Sequence, residues 1–170
     1  MRGENGADKT TLLRTLVGLT RPERGELRWR GRDVHEQGED YRRSFVYLGH
    51  PAALKDELSP LENLQLASRL DGLDPGEDEL LDALQRLGLH GREDLPARVL
   101  SAGQRRRALL ARLLLRRAEL WVLDEPFTAL DAAGSALLEQ MLAQHLGTGG
   151  LAVLSSHQAP TLPGARELTI

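Results

Sequence analysis

The 170-residue sequence contains no cysteine, which excludes disulfide bonds and thiolate metal sites. It also lacks any apolar run near the ~20 residues that span a bilayer, so no membrane-spanning helix is expected from it. The net charge is only −3, which gives no support for broad nucleic-acid affinity. Hydrophobic residues make up 41% and charged residues 28%, as is ordinary for a globular protein. Length and composition together predict one domain with its own core.

The most informative stretch runs from Leu100 to Asp131 and reads LSAGQRRRALLARLLLRRAELWVLDEPFTALD. It begins with a turn of small residues, continues with an apolar helix over about residues 104–117, and reaches a strand at Leu120 to Leu123. This strand has no polar residue, so it is expected to be buried on both faces in a parallel sheet. Such sheets bind ligands at the carboxyl ends of their strands, and there Asp124 and Glu125 follow.

Adjacent carboxylates at a strand end can do different work, because side chains alternate along a strand. One can hold Mg²⁺, and the other can face a reacting water. An isolated acid pair is usually just solvated, but LSAGQ upstream and Leu130-Asp131 downstream favour chemistry here. Ser101 adds a hydroxyl at a predicted helix N-terminus, where free N–H groups favour a phosphate. An ordinary helix N-cap would use the same residue.

Other segments predict the rest of an α/β fold. Buried strands are expected at Phe45–Leu48 and Leu151–Leu154. The segment 59–62, SPLE, has the serine, proline and glutamate typical of a helix start, and a second helix is expected over about 75–87. A further helix with one apolar face follows Asp131. These helices between strands predict a parallel sheet with a helical insertion.

The helix that follows LSAGQ is rich in arginine. Because these arginines spread around the helix without interleaved aromatic residues, a solvated surface is favoured over a nucleic-acid contact. The residues concerned are Arg105, Arg106, Arg107, Arg112, Arg116 and Arg117.

The first residues carry a second candidate site. Residues 3–11 read GENGADKTT and precede an apolar helical segment, LLRTLVGL. A phosphate-binding loop needs a glycine-rich turn before a helix, with a lysine that reaches the phosphates and a hydroxyl that binds Mg²⁺. Gly3, Gly6, Lys9 and Thr10 fit that layout.

Four motifs in this order resemble the ATP-binding subunits of ABC transporters. Residues 3–11 resemble their Walker A loop, LSAGQ their signature motif, LWVLDEP their Walker B strand and residues 128–131 their D-loop. The resemblance implies a P-loop NTPase: a mainly parallel sheet flanked by helices, a helical subdomain at about 55–102 within a single domain over 1–170, and N-terminal strands missing. Later segments, including YLGHPAALKDELSPLENL and SSHQ, resemble one subfamily, the ATP-binding subunit of the haem exporter for cytochrome c biogenesis.

The resemblance also implies ligands and roles. ATP and Mg²⁺ are expected, with Thr10 and Asp124 as metal ligands, Glu125 as the residue that polarises water and His157 as the residue that orients it. The residues expected to bind the nucleotide are Gly3, Asn5, Gly6, Lys9, Thr10, Thr11, Ser101, Gly103, Gln104 and Asp131. In the family the signature turn contacts ATP held by the opposite subunit. A head-to-tail homodimer is therefore expected, attached to integral membrane transporter subunits at the cytoplasmic face of the inner membrane, without nucleic acid.

Departures from the family pattern keep an alternative open. Asp8 replaces the glycine before the lysine, and its negative charge beside phosphate predicts ATP binding weakened by orders of magnitude. Pro51 stands where the family has the glutamine of the Q-loop, and His50 is not assigned as a substitute. Only two residues precede Gly3, so the strand that carries such a loop is expected to be absent. The alternative is a catalytically impaired fragment of such a subunit without ATPase activity.

Overall fold

The computed structural model describes residues 6–49, 54–156 and 164–168, with side chains from residue 8. The chain divides into two compact units. The first contains Met1–Gly49, Ala118–Pro126 and Leu142–Ile170, and the second contains His50–Arg117 and Phe127–Met141. Each unit is described by itself below. The boundaries of about 55–102 for a helical subdomain stay a prediction.

A parallel sheet organises the first unit. Its strands are β3 (Phe45–Leu48), β4 (Leu120–Leu123) and β5 (Leu151–Leu154), in the spatial order β3-β4-β5 with parallel pairing throughout. These bounds are the predicted ones, because each run of apolar residues ends at a polar or small residue. An antiparallel pair, β1 (Arg28–Trp29) and β2 (Arg32–Asp33), precedes the sheet.

Helix α1 (Gly6–Leu16) packs on the sheet through an apolar cluster. Leu13 and Val17 meet Leu120 and Val122 of β4 there, and Leu13 and Val122 are completely buried. Short helices α2 (Val34–Gln37) and α3 (Glu39–Ser44) lead into β3. The core contact holds α1 against β4, and the candidate residues lie just beyond the carboxyl end of β4 and near the start of α1.

Strand β5 is less buried than its apolar sequence predicted. All residues of β4 are buried, whereas Leu151 is 49% exposed and the rest of β5 is half-buried. The reason is the position in the sheet, because β5 pairs on one side only within the described residues. A run of apolar residues therefore did not distinguish a central strand from an edge strand.

The second unit is helical. Its elements are α4 (Pro60–Leu70), α5 (Glu77–Arg86), a 3₁₀ turn (Ala97–Val99), α6 (Ala102–Leu110), α7 (Arg112–Leu115) and the first part of α8 (Ala132–Gly147). The single helix expected over about 104–117 is divided at Ala111, where the Leu114 N–H bonds to the Ala111 carbonyl in a tighter turn. Within the described segments, no helix has the length and apolarity needed to cross a membrane.

The arginine-rich helix is not the solvated surface expected. Arg106 is 4% exposed. Arg112 and Arg116 both pair with Asp71 at the end of α4, and Arg105 pairs with Asp56. Arg112 and Arg116 thus connect the α7 segment to the end of α4, whereas Arg117 is exposed as expected. The spread of the arginines around the helix was therefore a poor guide to the environment of most of them.

Candidate functional site

Asp124 lies at the carboxyl end of β4 and is almost completely buried, at 1% exposure. Its backbone N–H donates to the Leu48 carbonyl at 2.8 Å, which extends the pairing of β3 with β4 by one residue. Both carboxylate oxygens accept hydrogen bonds: Oδ2 from the Thr10 hydroxyl at 2.8 Å and Oδ1 from the Ser155 hydroxyl at 2.6 Å. The carboxylate is thus held between α1 and the end of β5.

Glu125 has an unusual backbone conformation. Its φ is +48°, in the left-handed region that residues other than glycine rarely adopt. The Glu125 N–H donates to the Ser155 hydroxyl at 2.9 Å, and Oε1 lies 3.5 Å from the Lys9 ammonium. Strained residues of this kind cluster at functional sites, where the surroundings maintain them.

Lys9 carries a buried positive charge. The residue is 1% exposed, and its Nζ has no hydrogen-bond acceptor in the part of the chain that the structure describes. Its ion pair with Glu125, at 3.5 Å, is longer than a direct charge-assisted hydrogen bond. A buried ammonium with unused donors is costly by itself and suits an anion with several oxygens, such as a phosphate chain.

The oxygens around Asp124 suit Mg²⁺. Thr10 and Asp124 place a hydroxyl and a carboxylate 2.8 Å apart, and both are hard oxygen donors. Among the described residues, no group of three or more histidine, cysteine, aspartate or glutamate side chains forms a metal site. Mg²⁺ in nucleotide sites needs no such group, because one or two carboxylates, waters and substrate phosphates complete its shell.

The pKa of Tyr47 is affected by the charges at this end of the sheet. Burial raises the pKa of its hydroxyl, the negative charge of Asp124 raises it further, and Arg14 acts in the opposite direction. Removing a proton from Tyr47 would add a second anion near Asp124. The charge of Asp124, at the end of β4, therefore influences the pKa of Tyr47 in β3.

In the second unit, Ser101 begins α6. Its hydroxyl accepts from the Gln104 N–H at 3.2 Å, and the Gln104 side chain accepts from the Ser101 N–H at 2.9 Å. These reciprocal bonds form a capping box, which satisfies two donors at the helix start. Ser101 is exposed, so the turn is open to a ligand as well as fixed.

The turn at Ser101 is tied to the segment before α8. A side chain at Gly103 would place its Cβ 2.8 Å from the Ala129 carbonyl oxygen, so glycine is needed for this approach. Asp131 Oδ1 accepts from the Gly134 N–H at 2.8 Å and from the Arg107 guanidinium at 2.5 Å. These two bonds, in that order, lower the pKa of Asp131.

The structure therefore forms two groups from the residues singled out in the sequence. Lys9, Thr10, Asp124 and Glu125 lie together in the first unit, and the second unit brings together the residues at Ser101 to Gln104 and Asp131. Their roles stay predictions. Gly6 begins α1, and Thr11 is exposed. Outside the described residues lie Gly3, Asn5, His50, Pro51 and His157.

Two residues with clear contacts were missed in the sequence. Ser155 bonds to both Asp124 and Glu125, and Arg107 bonds to Asp131. Ser155 follows a predicted strand directly, and its position at a strand's carboxyl end could have marked it. Arg107 was indistinguishable from the other arginines of its helix.

Comparisons with known proteins agree with this geometry. A sequence profile described as ABC transporter matches residues 1–128. The cytochrome c biogenesis ATP-binding export protein CcmA of Dechloromonas aromatica is 49% identical over 100% of this chain and 84% of its own length. The protein of the same name from Methylococcus capsulatus is 52% identical over 96% of this chain and 79% of its own. The Escherichia coli protein is 48% identical over 92% and 73%.

Solved structures confirm the predicted α/β fold. An ABC transporter ATP-binding protein of Pyrococcus furiosus superposes with a TM-score of 0.80 at 27% identity, covering 94% of this chain and 78% of that one. A dimeric ATP-binding cassette in a post-hydrolysis state, bound to ADP and Pi, gives a TM-score of 0.79 at 24% identity, over 92% of this chain and 72% of that one. The second likeness concerns the fold alone. The chain belongs to the ABC transporter family, and within it groups with the cytochrome c biogenesis ATP-binding export proteins.

Proposed function

We propose that this chain is the ATP-binding and ATP-hydrolysing subunit of an ABC transporter that exports haem for cytochrome c biogenesis. The family match and the 48–52% identity to the export proteins named above support the assignment. The observation that carries the enzymatic part is the buried Lys9 ammonium beside Thr10, Asp124 and Glu125. Haem as the cargo rests on the resemblance to the subfamily.

The residues of the first unit divide the work between phosphate, metal and water. Lys9 binds the phosphate oxygens, which supply the acceptors that its ammonium lacks within the described residues. Thr10 and Asp124 would hold Mg²⁺, which supplies positive charge against the charge that develops on the phosphate oxygens. Gly3, Asn5, Gly6 and Thr11 would complete the phosphate-binding loop.

Glu125 acts on the attacking water. Its carboxylate, 3.5 Å from Lys9 Nζ, lies beside the group proposed to hold the phosphates. A carboxylate there can accept a proton from water as the water attacks phosphorus, in the role of a general base. His157 would orient the same water through a ring nitrogen.

The second unit would serve the nucleotide of a partner subunit. Ser101 offers a hydroxyl and the free N–H groups of a helix start, a combination that favours a phosphate. Gly103, Gln104 and Asp131 would lie at the same interface, because the turn and the Asp131 segment are joined by direct contacts. A head-to-tail homodimer then forms two composite sites, and ATP closes it while hydrolysis opens it. Membrane subunits would convert this motion into export at the cytoplasmic face of the inner membrane.

The negative charge of Asp8 in the proposed phosphate-binding loop favours the alternative, an impaired chain without ATPase activity. The residue lies in the first turn of α1 and is exposed. Its carboxylate opposes phosphate, although solvent screens an exposed charge. We expect Asp8→Gly to tighten Mg·ATP binding by about 10-fold or more.

Calorimetric titration of Mg·ATP into this chain, Asp8→Gly and Lys9→Met, together with an assay of ATP turnover by each, decides between the two functions. Lys9→Met should abolish binding, and Lys55→Met, which changes an exposed lysine, should leave it unchanged. The proposed function requires binding by the chain as it stands and Mg²⁺-dependent turnover. Binding and turnover only after Asp8→Gly would establish the impaired alternative. Equal affinities of this chain and Asp8→Gly would show that Asp8 has no effect.

A further inference from the structure

We propose that Ser155 is a positioning residue that fixes Asp124 and Glu125 in their working orientations through a single hydroxyl. This role rests on the proposed function, since it assigns a purpose to the two acids. Ser155 is completely buried. Its hydroxyl lies at the carboxyl end of β5 beside the end of β4.

The hydrogen-bond pattern defines the direction of each bond. The Glu125 N–H can only donate, so the Ser155 oxygen accepts it at 2.9 Å. The hydroxyl hydrogen is then donated to Asp124 Oδ1 at 2.6 Å, a short distance that suits an ionised acceptor. The Ser155 hydroxyl thus acts both as an acceptor and as a donor. Alanine offers neither donor nor acceptor, whereas threonine keeps both.

The backbone holds this hydroxyl in place. The Ser155 N–H donates to the Leu123 carbonyl at 3.0 Å, which continues the pairing of β4 with β5 beyond both strands. On the opposite side, the Asp124 N–H donates to the Leu48 carbonyl at 2.8 Å. The sheet therefore fixes both partners of the short hydrogen bond, and little backbone motion can separate them.

The first consequence concerns Asp124. With Oδ1 held by Ser155, the carboxylate plane is set and Oδ2 faces the Thr10 hydroxyl at 2.8 Å. The oxygen facing Thr10 is the one proposed to contact Mg²⁺. Without the Ser155 hydroxyl, Oδ1 loses this bond, and the terminal torsion of the carboxylate, which is soft, is less tightly restrained.

The second consequence concerns Glu125. Its backbone is held at φ +48°, a conformation that costs about 1–3 kcal/mol in a residue other than glycine. The bond from its N–H to Ser155 offsets part of this cost. Loss of that bond should let the backbone relax and draw the carboxylate away from Lys9. Misplacement by about 1 Å can lower a rate by about 100-fold.

The test compares Ser155→Ala, Ser155→Thr and the control Ser68→Ala, which changes another buried serine, located in α4. We expect Ser155→Ala to lower kcat by about 10- to 100-fold with KM for Mg·ATP within about 3-fold. Ser155→Thr adds a methyl group at a fully buried position and should lose thermal stability, yet keep kcat within about 3-fold. Ser68→Ala should leave kcat unchanged.

A second readout needs no turnover. The hydrogen exchange of the Glu125 amide, measured by NMR without nucleotide, should be slow in the wild type and in Ser155→Thr, and at least about 10-fold faster in Ser155→Ala. If the role of Ser155 were purely structural, kcat of the wild type, Ser155→Thr and Ser155→Ala would follow their thermal stability and not the presence of the hydroxyl. That ranking, or slow exchange of the Glu125 amide in Ser155→Ala, would overturn the proposal. An inactive wild type with the expected exchange pattern would overturn the proposed function and leave the positioning contact established.

Discussion

At the scale of single residues, Lys9 is a residue proposed for ligand binding whose burial lowers the stability of the protein without ligand. An ammonium at 1% exposure whose donors find no acceptor among the described residues is unfavourable without a ligand. A bound phosphate chain would supply the missing acceptors and remove that cost. The folded protein without ligand therefore carries an unfavourable free energy that is recovered when the phosphate binds. Lys9 should therefore lower the stability of the protein without nucleotide and raise its affinity for the nucleotide.

Lys9→Met tests this trade directly. In the Glu125→Gln background, where no carboxylate is left without its ion-pair partner, methionine keeps most of the volume of the side chain and removes the buried charge. The free energy of unfolding without nucleotide should then rise by about 1 kcal/mol or more relative to Glu125→Gln alone. Urea unfolding monitored by Trp fluorescence measures it. Lys55→Met, at an exposed lysine, should change stability by less than about 0.5 kcal/mol. A fall in stability for Lys9→Met in the Glu125→Gln background would show that the ammonium is already well satisfied.

At the scale of elements, the same local structure occurs twice with different expected uses. Ser59 begins α4 and Ser101 begins α6, and each forms a capping box with the residue three positions later. The bond from the N3 amide to the serine hydroxyl is 3.2 Å in both. One helix start therefore serves as an internal control for the other.

Ser59→Ala and Ser101→Ala should each cost about 1 kcal/mol of stability, because each removes an N-cap. Only Ser101→Ala should also lower the ATPase rate, since only that hydroxyl is proposed to meet a nucleotide. Parallel urea unfolding and ATPase assays of the two variants measure both effects. Equal activity in the two variants would reduce Ser101 to a helix cap.

The contact between Gly103 and Ala129 makes a second prediction at this scale. The Cβ of Gly103→Ala would lie 2.8 Å from a backbone carbonyl oxygen, so we expect about 1–3 kcal/mol of destabilisation. Gly147→Ala, in open space at the end of α8, should change stability by less than about 1 kcal/mol. Chemical denaturation compares them. Similar stabilities of the two variants would mean that the Ala129 segment moves aside freely.

The elements also show what the sequence could predict. The bounds of β3, β4 and β5 and the start of α4 followed from short-range patterns of apolar, capping and proline residues. The exposure of Leu151 did not, because it depends on which strand is a neighbour. Ser155 was missed for the same reason, since its partners are 30 and 31 positions away in the chain.

At the scale of the whole molecule, the sequence identified the family through its motifs, and the comparisons confirmed it. The motifs also predicted which residues would gather at the end of β4, because parallel strands bring their carboxyl ends to one edge of the sheet. The roles of Gly3, Asn5 and His157 remain predictions, as these residues lie outside the described part of the chain.

The central claim is that Glu125 activates water for ATP hydrolysis at the end of β4. Single-turnover hydrolysis of Mg·ATP by Glu125→Gln, compared with the exposed control Glu57→Gln, tests it most directly. We predict a fall of about 100-fold or more for Glu125→Gln with ATP binding retained, and the wild-type rate for Glu57→Gln. Hydrolysis by Glu125→Gln at the wild-type rate would contradict the account.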